Sequence, residues 1–130
     1  MAFDQRRLLV EQVQLATPAE RLMMVWERLM GNLGQAREAM EGGDHERANN
    51  ELISAQQVLV ILSNTLDHSW AGAAGLDALY RWCWEQLVAA NVSWDKAKLG
   101  DALAVLTQLY EAWCKAAADV QPVAAVAGAG

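Results

Sequence analysis

The chain predicts an all-α fold, an antiparallel up-down four-helix bundle preceded by an N-terminal arm. Three observations carry that prediction. Apolar residues recur at spacings of three and four in four successive stretches. The joins between those stretches are short, about 2–8 residues, which favours antiparallel neighbours. No stretch shows the alternation of a half-buried strand. With 130 residues, 54% of them apolar, the chain is long enough to bury a core and too apolar to be disordered throughout.

Residues 1–17 read as the arm, because Arg6, Arg7 and Glu11 interrupt a weak periodicity. A sharp helix start follows. Thr17 is a good N-cap, Pro18 suits the first helical position, and Glu20 sits where a capping box needs it. Leu22, Val25, Trp26, Leu29, Leu33, Ala36 and Met40 then form one stripe of a helix from about Pro18 to Glu41. Gly42 and Gly43 end it, since glycine takes the left-handed conformation without steric cost. Asp44 caps a second helix whose Ala48, Leu52, Ala55, Leu59, Leu62 and Leu66 repeat as packed bundles do.

That helix fades near Asp67, and HSWAGAAG (68–75) reads as a loop. A third helix carries Leu76, Leu79, Tyr80, Cys83, Leu87 and Ala90 on one face, with a break at Asn91 and Ser93. The fourth carries Leu99, Leu103, Leu106, Tyr110, Trp113 and Ala117. Gly100 within it costs roughly 1 kcal/mol relative to alanine. Pro122 is expected to stop this helix, so the bundle domain is placed at 18–118 and a flexible Ala/Gly-rich tail at 119–130.

Composition narrows the function. Ten basic against sixteen acidic residues give a net charge of −6, which argues against nucleic acid as a partner. The opening MAFDQRRLLV lacks the apolar core of a signal peptide, and no apolar run approaches the ~18 residues of a membrane span. A soluble, cytoplasmic chain without membrane insertion is expected. Cys83 and Cys114 form no CxxC and suit a reducing compartment. There is no Glu-x-x-His pair for a di-metal site, no Cys-His pairing and no phosphate-loop glycine motif. Neither a cofactor, a metal nor an enzymatic activity is expected.

What stands out is an apolar surplus. Of six tryptophans, Trp26 and Trp113 fall on core stripes. Trp82 is rotated about 120° off the stripe of its helix, and Trp84 lies at the stripe's other edge. Helix two is apolar nearly all round at VLVIL (58–62), and Ile53 and Val60 form a face about 120° from its core stripe. One core cannot cover both faces. The second must meet the arm, a second copy of the chain, or a partner helix laid in a groove.

Several segments together resemble the flagellin export chaperones of the FliS type. EQVQLATPAERLMMVWERL is similar to the turn that opens that family's first helix. EGGDHERANNELISAQQVLVILSNTLD resembles its second helix, through Ala48-Asn49, Ala55-Gln56 and Leu66-Asp67. LDALYRWCWEQLVAAN and LTQLYEAW are similar to its third and closing helices. The resemblance implies a small acidic chaperone that uses no ATP. It would bind the C-terminal segment of new flagellin in apolar grooves, keep it from polymerising, and aid its delivery to the export gate. The same resemblance implies a regulator of flagellin translation as a further partner, and an arm that occupies part of the groove when flagellin is absent.

On this basis the expected groove uses Ile53, Val60 and Trp82 for apolar contact, with Asn49, Gln56 and Gln57 as polar rim. The alternatives are plain ones. Ile53 and Val60 lie under the arm, Trp82 is a homodimer contact, or Gln57 is ordinary surface. At the level of function, the alternatives are a self-associating bundle or a chaperone for another export substrate.

Overall fold

The computed structural model describes residues 17–129, and their side chains as far as residue 118. Four helices follow one another: α1 (Pro18–Glu41), α2 (His45–Asn64), α3 (Ala73–Ser93) and α4 (Lys96–Ala129). Each packs on the next, and α1 closes on α4, so the helices form a ring around one core. The expected arm lies outside the described residues except for Thr17.

The helix ends follow from local chemistry. Thr17 Oγ1 accepts from the Glu20 N–H at 3.1 Å and donates to the Glu20 carboxylate at 3.0 Å, which fixes the start of α1. Gly43 adopts a φ of 73°, and the Asp44 N–H reaches back to the Ala39 carbonyl at 2.8 Å. The chain thereby reverses within two residues of α1. Asp44 then accepts from the Arg47 N–H, and Asp95 accepts from the Ala97 and Lys98 N–H groups, so each carboxylate caps the helix it precedes.

The boundary between α3 and α4 is less conventional. Trp94 takes the left-handed backbone at φ 51°, where glycine is usual. That conformation costs roughly 1–2 kcal/mol for a residue with a side chain. The indole stacks on His45 at a ring separation of 3.8 Å, a contact that offsets part of the cost and pins this end of the bundle.

Three boundaries depart from expectation. α3 begins at Ala73 inside the expected loop, and it continues through Asn91 to Ser93. Pro122 does not stop α4, whose helical span is Lys96–Ala129. Proline removes one donor from the ladder, but the alanines around it are the strongest helix formers.

The core is apolar throughout, with no buried polar or charged residue among those described. Trp26, Leu29 and Leu33 from α1 meet Leu52 and Leu59 from α2, Cys83 and Leu87 from α3, and Leu99 and Leu106 from α4. Trp26 is fully buried, with the rings of Tyr80 and Tyr110 at 6.1 and 6.4 Å. Burial pushes the Tyr80 hydroxyl up to about 12 and the Cys83 thiol up to about 11. That thiol is a core hydrophobe rather than a nucleophile.

Candidate functional site

Beside the buried core, α2 and α3 each carry a stripe that mixes apolar and polar residues, and the registry of the two stripes shows which residues share a groove. On α2, Asn49, Ile53, Gln56, Val60 and Ser63 succeed one another at spacings of four and three. On α3, Asp77, Arg81, Trp84, Val88 and Asn91 do the same in the opposite direction. Hydrogen bonds join the stripes at both ends. Asn91 Nδ2 donates to Asn49 Oδ1 at 2.9 Å, and the Ser63 hydroxyl donates to Asp77. Antiparallel register then sets Ile53 near Val88, Gln56 near Trp84 and Val60 near Arg81.

The result is a groove about 21 Å long, the rise of the fourteen residues from Asn49 to Ser63. It deepens into a pocket of about 390 Å³ where Leu59, Val60 and Ser63 face Tyr80, Arg81, Trp84 and Glu85. Ile53 is 40% exposed, Val60 47% and Trp84 40%. Three large apolar side chains are therefore left to water along one line. A cluster of that kind marks an interaction surface more than scattered exposed residues do.

The sequence-predicted residues divide. Ile53, Gln56 and Val60 come together in this groove. Asn49 lies at its end with its carbonyl oxygen already engaged by Asn91, leaving its amide N–H groups for another chain. Gln57 is exposed on the outermost line of α2, beyond the groove's rim. Trp82 does not line this groove. Two residues span 200° of helix, so the side of α3 that turns Trp84 toward α2 turns Trp82 toward α4. There Trp82 and Leu79, 38% and 40% exposed, form a second apolar strip.

Trp84, Arg81 and Glu85 are the groove residues that sequence reasoning missed. The signal for Trp84 was its place at the opposite edge of the core stripe. What it lacked was the knowledge of which edge faces α2.

Hollows elsewhere among the described residues include two that bear comparison. A larger one, about 600 Å³, runs between α1 and α4 past Arg37, Glu41, Lys96, Thr107, Gln108 and Glu111. A smaller one, about 250 Å³, opens at the bundle end beside Leu22, Leu66, Trp70, Leu76 and Trp113. The Trp70 ring there lies so close over Gly72 that a β-carbon on that glycine would meet it at 2.5 Å. No group of three or more His, Cys, Asp or Glu side chains is placed to hold a metal among the described residues. No helix among them is long and apolar enough to cross a membrane.

Comparison with known proteins meets this geometry. The family model described as flagellar protein FliS matches residues 2–120. A flagellar secretion chaperone FliS of Bacillus subtilis (strain 168) is 32% identical over 104 residues, which cover 80% of this chain and 78% of that protein. The match takes in all of α1, α2 and α3 and the part of α4 that packs in the bundle, so the chain belongs to the FliS family of flagellar proteins.

Proposed function

We propose that this chain is a flagellar secretion chaperone that binds the C-terminal segment of flagellin in the groove between α2 and α3. One observation carries the reading. In a chain similar along most of its length to a named flagellar secretion chaperone, Ile53, Val60 and Trp84 stand uncovered in line between two helices. An amphipathic helix laid there covers them with its own apolar face, the helix-in-groove mode of recognition.

The chemistry is binding alone, with no bond made or broken. Burying ~1,000 Å² of apolar surface yields roughly 25 kcal/mol gross, most of it offset by ordering a disordered segment. The remainder suffices for sub-micromolar affinity. Covering the client's apolar face keeps it from the helix–helix contacts that would polymerise it. Handing the complex to the export gate, and sensing a regulator of flagellin translation, belong to the same proposal, with the work done in the cytoplasm.

Gln56 supplies a polar group within the groove, and the free amide N–H groups of Asn49 supply another at its end. Gln57, beyond the rim, meets only the part of a client that extends past the groove's edge. The test is calorimetry of the full chain against the last ~40 residues of the host's flagellin, a length in keeping with segments that fold on binding. Saturable one-to-one binding with a negative heat-capacity change is expected; no heat at high micromolar concentration contradicts the proposal.

A second reading is favoured by the strip at Leu79 and Trp82, which faces away from the groove. Self-association through that strip yields a homodimer, and light scattering over a dilution series detects it. A mass that stays at 14.2 kDa throughout rules it out.

A further inference from the structure

We infer that Arg81 and Glu85 are the specificity-determining charges of the α2–α3 groove, reading a carboxylate and a cation one turn apart on the bound helix. The inference rests on the reading that this groove holds a client helix. Both side chains are exposed and line the pocket beside Val60 and Trp84. Neither makes an ion pair among the described residues. The comparison with Arg37 and Glu41 is direct. That pair has the same order and the same spacing on α1, and it closes at 3.3 Å. Arg81 and Glu85 stay open.

A base four residues ahead of an acid is the weaker order within a helix. The two charges therefore give up little when a partner arrives. The other charged group of the groove, Asp77, is already engaged by the Ser63 hydroxyl. Arg81 is thus a lone cation facing the channel of a chain whose net charge is −6, and a carboxylate is its complement. Glu85, one turn along the rim, calls for a cation. A helix bearing that pair in matching order is favoured, and one bearing it reversed places like charges together.

The test is the double exchange Arg81→Glu with Glu85→Arg, which leaves the net charge unchanged and touches no core residue. The probe is the C-terminal ~40 residues of the host's flagellin, titrated into the full chain by calorimetry at low salt and at 1 M salt. Binding about tenfold weaker at low salt is expected, with the deficit shrinking at 1 M as screening takes over. Binding within twofold of wild type at both salts overturns the inference. The variant Ile53→Asp with Val60→Asp separates the two levels. If it abolishes binding while the charge exchange is silent, the groove stands and the charge reading falls. If wild type does not bind the segment at all, both fall.

Discussion

The clefts on either side of α1 and α3 make an instructive pair. The hollow between α1 and α4 is the larger of the two, and Arg37, Glu41, Lys96 and Glu111 stand in its walls among apolar residues. Between α2 and α3 the hollow is smaller and carries Arg81 and Glu85, but Val60 and Trp84 stand exposed in it and Ile53 stands exposed further along the same groove. Size favours the first and chemistry the second. The α1–α4 cleft also has Met40, Leu99 and Leu103 in its walls, but none of them is an exposed large apolar side chain, so filling it gains little. A narrow one that strands large apolar side chains gains from being covered. Volume alone is a poor guide to function here.

That contrast is easiest to break by putting charge into each cleft in turn. Ile53→Asp combined with Val60→Asp is expected to weaken flagellin-segment binding by roughly 100-fold or more, because the carboxylates would be buried against apolar partner surface. Helicity and the melting transition stay near wild type, since both positions are already exposed. Ala104→Asp combined with Gln108→Asp, on the α1–α4 walls, leaves binding unchanged. Calorimetry and circular dichroism on wild type and the two double variants check both halves.

The tryptophans sharpen it further. Trp84→Ala is expected to cost roughly 30-fold in affinity, the scale of an aromatic anchor, and Trp82→Ala to change it by less than about twofold. Equal losses in the two variants contradict the assignment of Trp82 to the α4 side.

Much of this architecture was legible in the residues. The capping box at Thr17, the Gly42-Gly43 reversal and the 4-3-4-3 stripes named the helices and most of the core, because those signals are local. The apolar surplus on α2 at Ile53 and Val60 was legible for the same reason. Trp82 was not. Periodicity places it off the core stripe but does not reveal on which side of α3 the neighbours lie, for a ring of four helices can turn either way. The hydrogen bonds from Asn91 to Asn49 and from Ser63 to Asp77 settle the turn, and they join residues far apart in the chain. The span of α4 through Pro122 escaped the rule that proline halts a helix, because that rule weighs one residue and not the alanines beside it.

Smaller effects separate the two clefts by stability. Gly100 sits on the α1–α4 wall, and a β-carbon there meets nothing within 4 Å. Gly100→Ala is expected to stabilise the fold by about 0.5–1 kcal/mol, seen in urea denaturation, with binding untouched. A loss of stability, or of binding, shows that this cleft is tighter or busier than described.

The smallest effect concerns pH. The Ser69 hydroxyl and N–H donate to Asp67 and hold its carboxyl below the ordinary value of 3.8. A depressed native value adds stability above the unfolded value, and that gain fades as pH falls through the lower one. Asp67→Asn therefore lowers the melting temperature slightly at pH 7, and the difference closes only below pH 3.8. A difference that persists unchanged at strongly acid pH contradicts the hydrogen-bond account.

Hydrogen–deuterium exchange of the full chain, with and without the flagellin segment, tests the central claim most directly. New protection should gather on α2 over residues 53–63 and on α3 over residues 77–88, while residues 100–111 of α4 exchange as before. Protection confined to the α1–α4 walls, with α2 and α3 unaffected, would contradict it.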